Sequence, residues 1–208
     1  LSAYRVLILG PHPEYWTWPM VDRLKTWTQK QGGRLMYLGG NGLNCEIEIL
    51  ENARMVAHNG KETERQAAGF ESRLHARRES EANVLGVVFT DTGIMTGAPY
   101  QTIDSSHWVF EGTGLREGDL FGTLSQNERC PGGASGHETD KMSQSSPQNV
   151  HLLARGTNPD EGGAEMVIFD TDSGGRVFST GSINYISSLL VDDHVGRITG
   201  NVLRRFLG

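Results

Sequence analysis

An apolar run that stops at two prolines near the start of the chain constrains the fold more than any other feature. Residues 4–9 suit a buried β-strand, and Gly-Pro-His-Pro-Glu-Tyr-Trp follows at once at residues 10–16. Pro11 and Pro13 fix φ and have no amide hydrogen, so neither a strand nor a helix can continue through them. We therefore predict a strand followed by a stiff loop. Its His, Glu, Tyr and Trp side chains are suited to catalysis or ligand recognition. The alternative is a rigid turn whose Tyr and Trp only pack against the core.

The next stretch predicts a helix and a second strand. Apolar residues recur at helical spacing from Met20 to Trp27, Gly32 and Gly33 end the helix, and residues 34–38 read as a buried strand. Two strands joined by an amphipathic helix form a βαβ unit, which implies parallel pairing. We expect the loop at residues 12–16 to lie beside Gly-Gly-Asn-Gly at residues 39–42, at the sheet edge where open α/β sheets bind ligands.

The Gly-Gly-Asn-Gly segment suits a tight turn that points its central side chain outward, as turns that present a nucleophile do. The central residue here is Asn41, which cannot attack a carbonyl, so a Ser or Cys nucleophile at this turn is excluded. The Lys-Ser/Thr pair that closes a phosphate-binding loop is also missing. The alternative is a plain turn at a strand end, with Asn41 in the left-handed region.

Length and charge narrow the function classes. The 208 residues carry a formal net charge of −6, which argues against nucleic-acid or anionic-membrane binding as the main task. No apolar run approaches the ~20 residues of a membrane span. Two distant cysteines fit a reducing compartment, so we expect a cytoplasmic protein. We expect one domain over residues 1–208, with a loop-rich insertion at 112–146, and a chain starting at Leu1 suggests a piece of a longer protein.

Several segments together carry a family resemblance. They are His-Pro-Glu-Tyr-Trp at 12–16, residues 32–42, Gly-Gly-Ala-Ser-Gly-His-Glu-Thr-Asp at 132–140, residues 177–183 and residues 197–206. In this order they resemble the C-terminal domain of the large (beta) subunit of N,N-dimethylformamidase and related proteins. The resemblance implies a class I glutamine-amidotransferase-like, flavodoxin-like α/β fold. Such a fold has a mostly parallel sheet flanked by helices, and here it lacks the cysteine nucleophile.

The resemblance also implies a mononuclear non-haem iron held by two tyrosines and a glutamate. Tyr15 matches one tyrosine ligand, the other tyrosine belongs to sequence upstream of Leu1, and Glu71 is the nearest candidate for the carboxylate. Glu138 lies in a matched segment and is the best acid for proton transfer. We expect partial burial to raise its pKa.

His12 and Asn41 complete the candidate catalytic set with Glu138. The expected activity is hydrolysis of the C–N bond of a small amide, because a metal can polarise the carbonyl and activate water while a carboxylate moves protons. The resemblance implies a small amide substrate, a small partner subunit and a homo-oligomer. The alternative is a non-catalytic amidotransferase-like domain for ligand binding or assembly, since a fold alone does not determine a function.

Overall fold

The computed structural model describes residues 1–61, 64 and 67–208, and strands make up most of its regular structure. The strands, in chain order, are β1 Val6–Leu9, β2 Tyr15–Trp16, β3 Arg34–Tyr37, β4 Cys45–Ile49, β5 Met55–Ala57, β6 Val88–Thr90, β7 Gly97–Ala98, β8 Tyr100–Thr102, β9 Leu120–Phe121, β10 Ser135–Gly136, β11 Thr139–Lys141, β12 His151–Gly156, β13 Glu165–Asp170 and β14 Arg176–Ser179. The α-helices are α1 Trp18–Lys30, α2 Ala82–Leu85, α3 Tyr185–Ser188 and α4 Asp193–Leu207.

The predicted βαβ unit is confirmed. Strands β1 and β3 pair in parallel, and α1 connects them. The loops that leave the two strands lie side by side, because the Gly40 N–H donates to the Pro11 carbonyl (3.1 Å) and the Leu43 N–H donates to the Pro13 carbonyl (2.9 Å). One detail of the helix was wrong, since Met20 is 45% exposed rather than part of its buried face.

The predicted flavodoxin-like, mostly parallel sheet flanked by helices is wrong. The main sheet has seven strands in the order β1-β3-β14-β13-β12-β8-β9, and only the β1–β3 and β3–β14 pairs are parallel. The other pairs are antiparallel. The reason lies in the connections at residues 157–164 and 171–175, which are shorter than the dozen or so residues that a parallel crossover requires. The fold is a mixed sheet in which antiparallel strands predominate.

Smaller sheets complete the structure around the strand ends. Strands β2, β4 and β5 form one of them, while β7 pairs with β10 and β6 pairs with β11. Strands β9, β10 and β11 all come from the stretch at residues 112–146, which the sequence marked as loop-rich. The β6–β11 pairing is important for the site, because it fixes the segment around residues 138–141 beside the ends of β1 and β3.

The two faces of the main sheet bury separate cores. Alternate residues of β3 point to opposite faces, so Leu35 packs on the side of α1 and Met36 packs on the side of α4. The inward face of α4 consists of the buried residues Val195, Ile198, Val202 and Phe206. Within the described residues, no helix combines the length and the apolar character that crossing a membrane requires.

Asp192 caps α4, and its removal should weaken this packing. Its carboxylate accepts hydrogen bonds from the Val195 N–H (3.2 Å) and the Thr123 N–H (3.0 Å). Asp192→Ala should therefore lower the free energy of unfolding by about 0.5–2 kcal/mol, as measured by denaturant titration. The matched control is Asp193→Ala, because Asp193 is exposed in the first turn, where its charge is favourable to the helix dipole. Equal losses in the two variants would contradict a capping role for Asp192.

Candidate active site

The structure brings the three predicted catalytic residues together at the carboxyl ends of β1 and β3. The His12 Nε2 atom lies 3.3 Å from the Glu138 Oε2 atom. The Asn41 side-chain amide donates to the same Glu138 oxygen at 2.7 Å. Glu138 itself directly precedes β11, so the ladder with β6 positions it. His12 and Asn41, both far from Glu138 in sequence, thus converge on its carboxylate.

Glycines make this approach possible. A Cβ atom at Gly39 would collide with the Pro11 carbonyl oxygen, and a Cβ atom at Gly40 would collide with the Glu138 carbonyl oxygen. Asn41 follows with φ of 52°, a left-handed conformation that asparagine tolerates better than most residues. The predicted tight turn is confirmed, including the left-handed asparagine. Its side chain does more than turn the chain, because it reaches Glu138.

The predicted rise in the pKa of Glu138 is wrong. Burial does act in that direction, but the hydrogen bonds from His12 and Asn41 outweigh it and hold the pKa of Glu138 below its ordinary value. The effect is reciprocal, since the bond to Glu138 raises the pKa of His12 although burial opposes this. The pair therefore favours an ionised Glu138 beside a protonated His12.

A second carboxylate, which sequence reasoning left without a role, flanks His12 on its other side. The Glu14 Oε2 atom lies 3.4 Å from His12 Nε2, and the Glu14 side chain is only 8% exposed. The Arg73 Nη1 atom donates to the other Glu14 oxygen at 3.0 Å. The His-Pro-Glu spacing in the stiff loop was a signal that could have identified Glu14. Arg73 had no such signal, because its partner lies far away in sequence.

Asp140 accepts two hydrogen bonds that hold the Asn41 turn in place. Its Oδ1 atom accepts from the Asn41 backbone N–H and its Oδ2 atom accepts from the Tyr37 hydroxyl, both at 2.7 Å. Burial raises the pKa of Asp140 to about 7, although these two hydrogen bonds act against the rise. Sequence reasoning missed this residue as well. The alternation of a strand could have indicated it, because Glu138 and Asp140 are two residues apart.

The two aromatic residues of the proline loop differ in their surroundings. Trp16 is half-buried against the core on the α1 side, and its indole N–H donates to the Pro13 carbonyl at 2.7 Å. The packing interpretation therefore describes Trp16. Tyr15 is 45% exposed, and desolvation of its hydroxyl together with the neighbouring Glu14 carboxylate raises its pKa.

Glu71 lies apart from this cluster. Its Oε2 atom is 3.9 Å from His75 Nδ1. Burial acts to raise the pKa of Glu71, but the nearby hydroxyls of Ser80, Ser143 and Ser145 and the charge of His75 outweigh it and hold this pKa below its ordinary value. No hydrogen bond or ion pair within the described part of the chain joins Glu71 to Tyr15. The structure thus brings His12, Asn41 and Glu138 together, but it shows no contact between the two predicted iron ligands.

The donor chemistry of the two predicted ligands nevertheless fits iron. Glu71 is a carboxylate whose lowered pKa keeps it ionised at neutral pH, and serine hydroxyls together with His75 already stabilise part of its charge. Tyr15 is partly exposed, and phenolate and carboxylate are hard oxygen donors that suit a highly charged cation. His, Cys, Asp and Glu alone form no group of three or more with metal-site geometry among the described residues.

Comparison with known proteins identifies the family. Residues 1–197 match the family model described as N,N-dimethylformamidase beta subunit-like, C-terminal. The chain is 27% identical over 257 residues to proteins named N,N-dimethylformamidase beta subunit from Alcaligenes sp and from Paracoccus aminophilus. Each comparison covers 100% of this chain and 32% of the relative, so the chain spans about a third of the length of these relatives. The resemblance predicted from the sequence is confirmed, and the chain belongs to the N,N-dimethylformamidase beta subunit-like C-terminal family.

Proposed function

We propose that this chain is the part of an amidase that hydrolyses the C–N bond of a small amide such as N,N-dimethylformamide. The observation that carries the proposal is the convergence of His12 and Asn41 on the Glu138 carboxylate at the sheet edge. Amide hydrolysis needs a base for the attacking water and an acid for the leaving amine, because the amine is a poor leaving group until it is protonated. The printed names of the relatives support the same substrate class.

In this proposal Glu138 takes the proton of the attacking water and delivers it to the nitrogen of the leaving amine. Its lowered pKa keeps it ionised, and therefore able to accept a proton, over the neutral range. Asn41 holds one Glu138 oxygen through its amide N–H, which fixes the direction of the carboxylate. His12 lies between Glu138 and Glu14, so its positive charge balances both acids and holds them in place.

We further propose that Tyr15 and Glu71 hold a mononuclear non-haem iron, together with a tyrosine from sequence upstream of Leu1. When bound, such a metal polarises the amide carbonyl and lowers the pKa of a coordinated water. The support is the donor chemistry, namely the phenol of a partly exposed tyrosine and a carboxylate whose pKa is lowered, so that it is ionised at neutral pH. The relatives are named beta subunits, so we also propose assembly with a second subunit. From the sequence we further propose that this subunit is smaller, that the assembly is a homo-oligomer and that it is cytoplasmic.

A direct assay tests this function. The full-length gene product, purified with any subunit that accompanies it, is loaded with iron and incubated with N,N-dimethylformamide. We expect equimolar release of dimethylamine and formate, and a visible tyrosinate-to-iron charge-transfer band that disappears on chelation. A panel of small formamides and acetamides defines the substrate range. A protein that contains iron but hydrolyses none of these amides would contradict the amidase proposal and favour a non-catalytic ligand-binding or assembly domain.

A further inference from the structure

We propose that Asp140 is a positioning residue that holds the Asn41 turn in place and thereby orients the Glu138 carboxylate. The inference rests on the proposed amidase function, because it concerns the residue that moves the proton there. It adds a residue to which neither the sequence motifs nor the family resemblance assigned a role. The evidence is a continuous set of hydrogen bonds that leads from the buried core to Glu138.

The hydrogen bonds of Asp140 connect three parts of the structure. Its two oxygens accept from the Asn41 backbone N–H and from the Tyr37 hydroxyl, and the Asn41 side chain then donates to Glu138, each at 2.7 Å. Asn44 holds the other end of the Asn41 amide, since its Nδ2 atom donates to Asn41 Oδ1 at 2.7 Å. The direction of the Asn41 side chain is therefore determined on both sides.

Asp140 is itself held firmly by the strand in which it lies. It is 1% exposed, it pairs with Phe89 in the β6–β11 ladder, and its N–H donates to the Gly181 carbonyl at 2.8 Å. Asn41, in contrast, lies in a glycine-rich turn in a left-handed conformation, which few local interactions would stabilise. A rigidly held acceptor for the Asn41 N–H therefore restricts this turn to one geometry.

An oxygen acceptor is required at this position. An apolar side chain would leave the Asn41 N–H and the Tyr37 O–H buried without partners, which is unfavourable. An amide keeps the interaction that holds the turn, because its oxygen still accepts from the Asn41 N–H. Its NH₂ group faces the Tyr37 hydroxyl, whose O–H then loses its acceptor, so Asp140→Asn should lower the stability of the fold while leaving the turn in place. This difference between amide and apolar replacements is the basis of the test.

Several charged and titratable groups surround Asp140, and they determine which titration the pH profile of amide hydrolysis can follow. Tyr37 and Tyr100 face it from β3 and β8, His12 from the loop after β1, and Glu81 from the residue before α2. Glu138, the residue before β11, also faces it and is itself close to His12 and His137. Of these groups, Glu138 is the one whose hydrogen bonding depends on Asn41. Displacement of Asn41 removes a hydrogen bond from ionised Glu138, so the pKa of Glu138 should rise.

The experiment compares Asp140→Asn with Asp140→Leu in the full-length protein, with kcat, KM and the pH profile measured for amide hydrolysis. Asp140→Asn should keep kcat within a few-fold of the wild type and leave the acid limb of the profile unchanged. Asp140→Leu should lower kcat roughly 10- to 100-fold, with little change in KM, and move the acid limb to higher pH. A purely structural role would lower the amount of folded protein without moving this limb. Asp192→Asn, a buried aspartate at the cap of α4, is the control that should leave the limb unchanged.

A second measurement follows Glu138 directly, by carbon NMR of the labelled carboxyl group during a pH titration. An unchanged Glu138 titration in folded Asp140→Leu would overturn the positioning role. If Asp140→Leu does not fold, Asp140→Asn decides, because a loss of kcat as large as that caused by removing the Glu138 carboxylate would overturn the proposal. A shifted Glu138 titration in a protein that hydrolyses no amide would support the positioning role and reject the amidase function instead.

Discussion

Replacing Glu138 by glutamine is expected to lower kcat for amide hydrolysis by about 10²–10⁴-fold, because the side chain then can neither accept nor deliver a proton. The shape of the site should persist. A glutamine has nearly the same volume, and its oxygen can still accept from the Asn41 amide, which donates at 2.7 Å to Glu138. Steady-state kinetics with the iron-loaded, full-length protein measure the effect. Iron content should remain at the wild-type level, since Glu138 is not among the proposed ligands.

The control makes the same chemical change away from the cluster. Glu128 is an exposed glutamate in the stretch at residues 112–146, which also contains Glu138. Glu128→Gln should therefore leave kcat and KM unchanged. Turnover close to the wild type in Glu138→Gln would remove Glu138 from the mechanism, and His12 would then be the remaining candidate for proton transfer in this cluster.

The part of the fold that the sequence could predict is the part determined by local pattern. The strand, proline loop, helix and second strand follow one another directly, and a βαβ unit has only one common arrangement. The parallel pairing of β1 and β3 therefore followed from residues 4–38 alone. Local pattern does not determine how the other strands pair. Their predicted pairing rested on the family resemblance, which implied a mostly parallel sheet. The short connections at 157–164 and 171–175 were the stronger evidence, and they require hairpins.

The same distinction holds for the site. His12 and Asn41 could be predicted as neighbours because the carboxyl ends of adjacent parallel strands meet at one edge. The direction of the pKa shift of Glu138 could not be predicted, because it depends on contacts with His12 and Asn41, which are far from Glu138 in sequence. A partly buried carboxylate considered alone should have a raised pKa, and only the structure shows which donors surround it. Asp140 was missed for the same reason, since its role depends on the residues that it contacts.

Replacing Tyr15 by phenylalanine should remove nearly all bound iron and amidase activity while changing the stability of the fold very little. Phenylalanine keeps the aromatic ring and deletes only the hydroxyl oxygen, which is the proposed ligand. Because the side chain is 45% exposed, the free energy of unfolding should change by less than about 0.5 kcal/mol. Iron is quantified per chain by metal analysis, and the charge-transfer band in the visible spectrum should disappear together with the metal.

Tyr4 provides the matched control, because it is 64% exposed, lies before β1 and can undergo the same loss of a hydroxyl. Tyr4→Phe should keep its iron, its colour and its activity. The raised pKa of Tyr15 adds a second test, since iron must displace the phenol proton in order to bind. Iron uptake by the wild type should therefore release protons and strengthen as the pH rises, and residual uptake by Tyr15→Phe should depend less on pH. Iron retained by Tyr15→Phe at the wild-type ratio would show that Tyr15 is not a ligand, and the metal would then have to be sought around Glu71 without it.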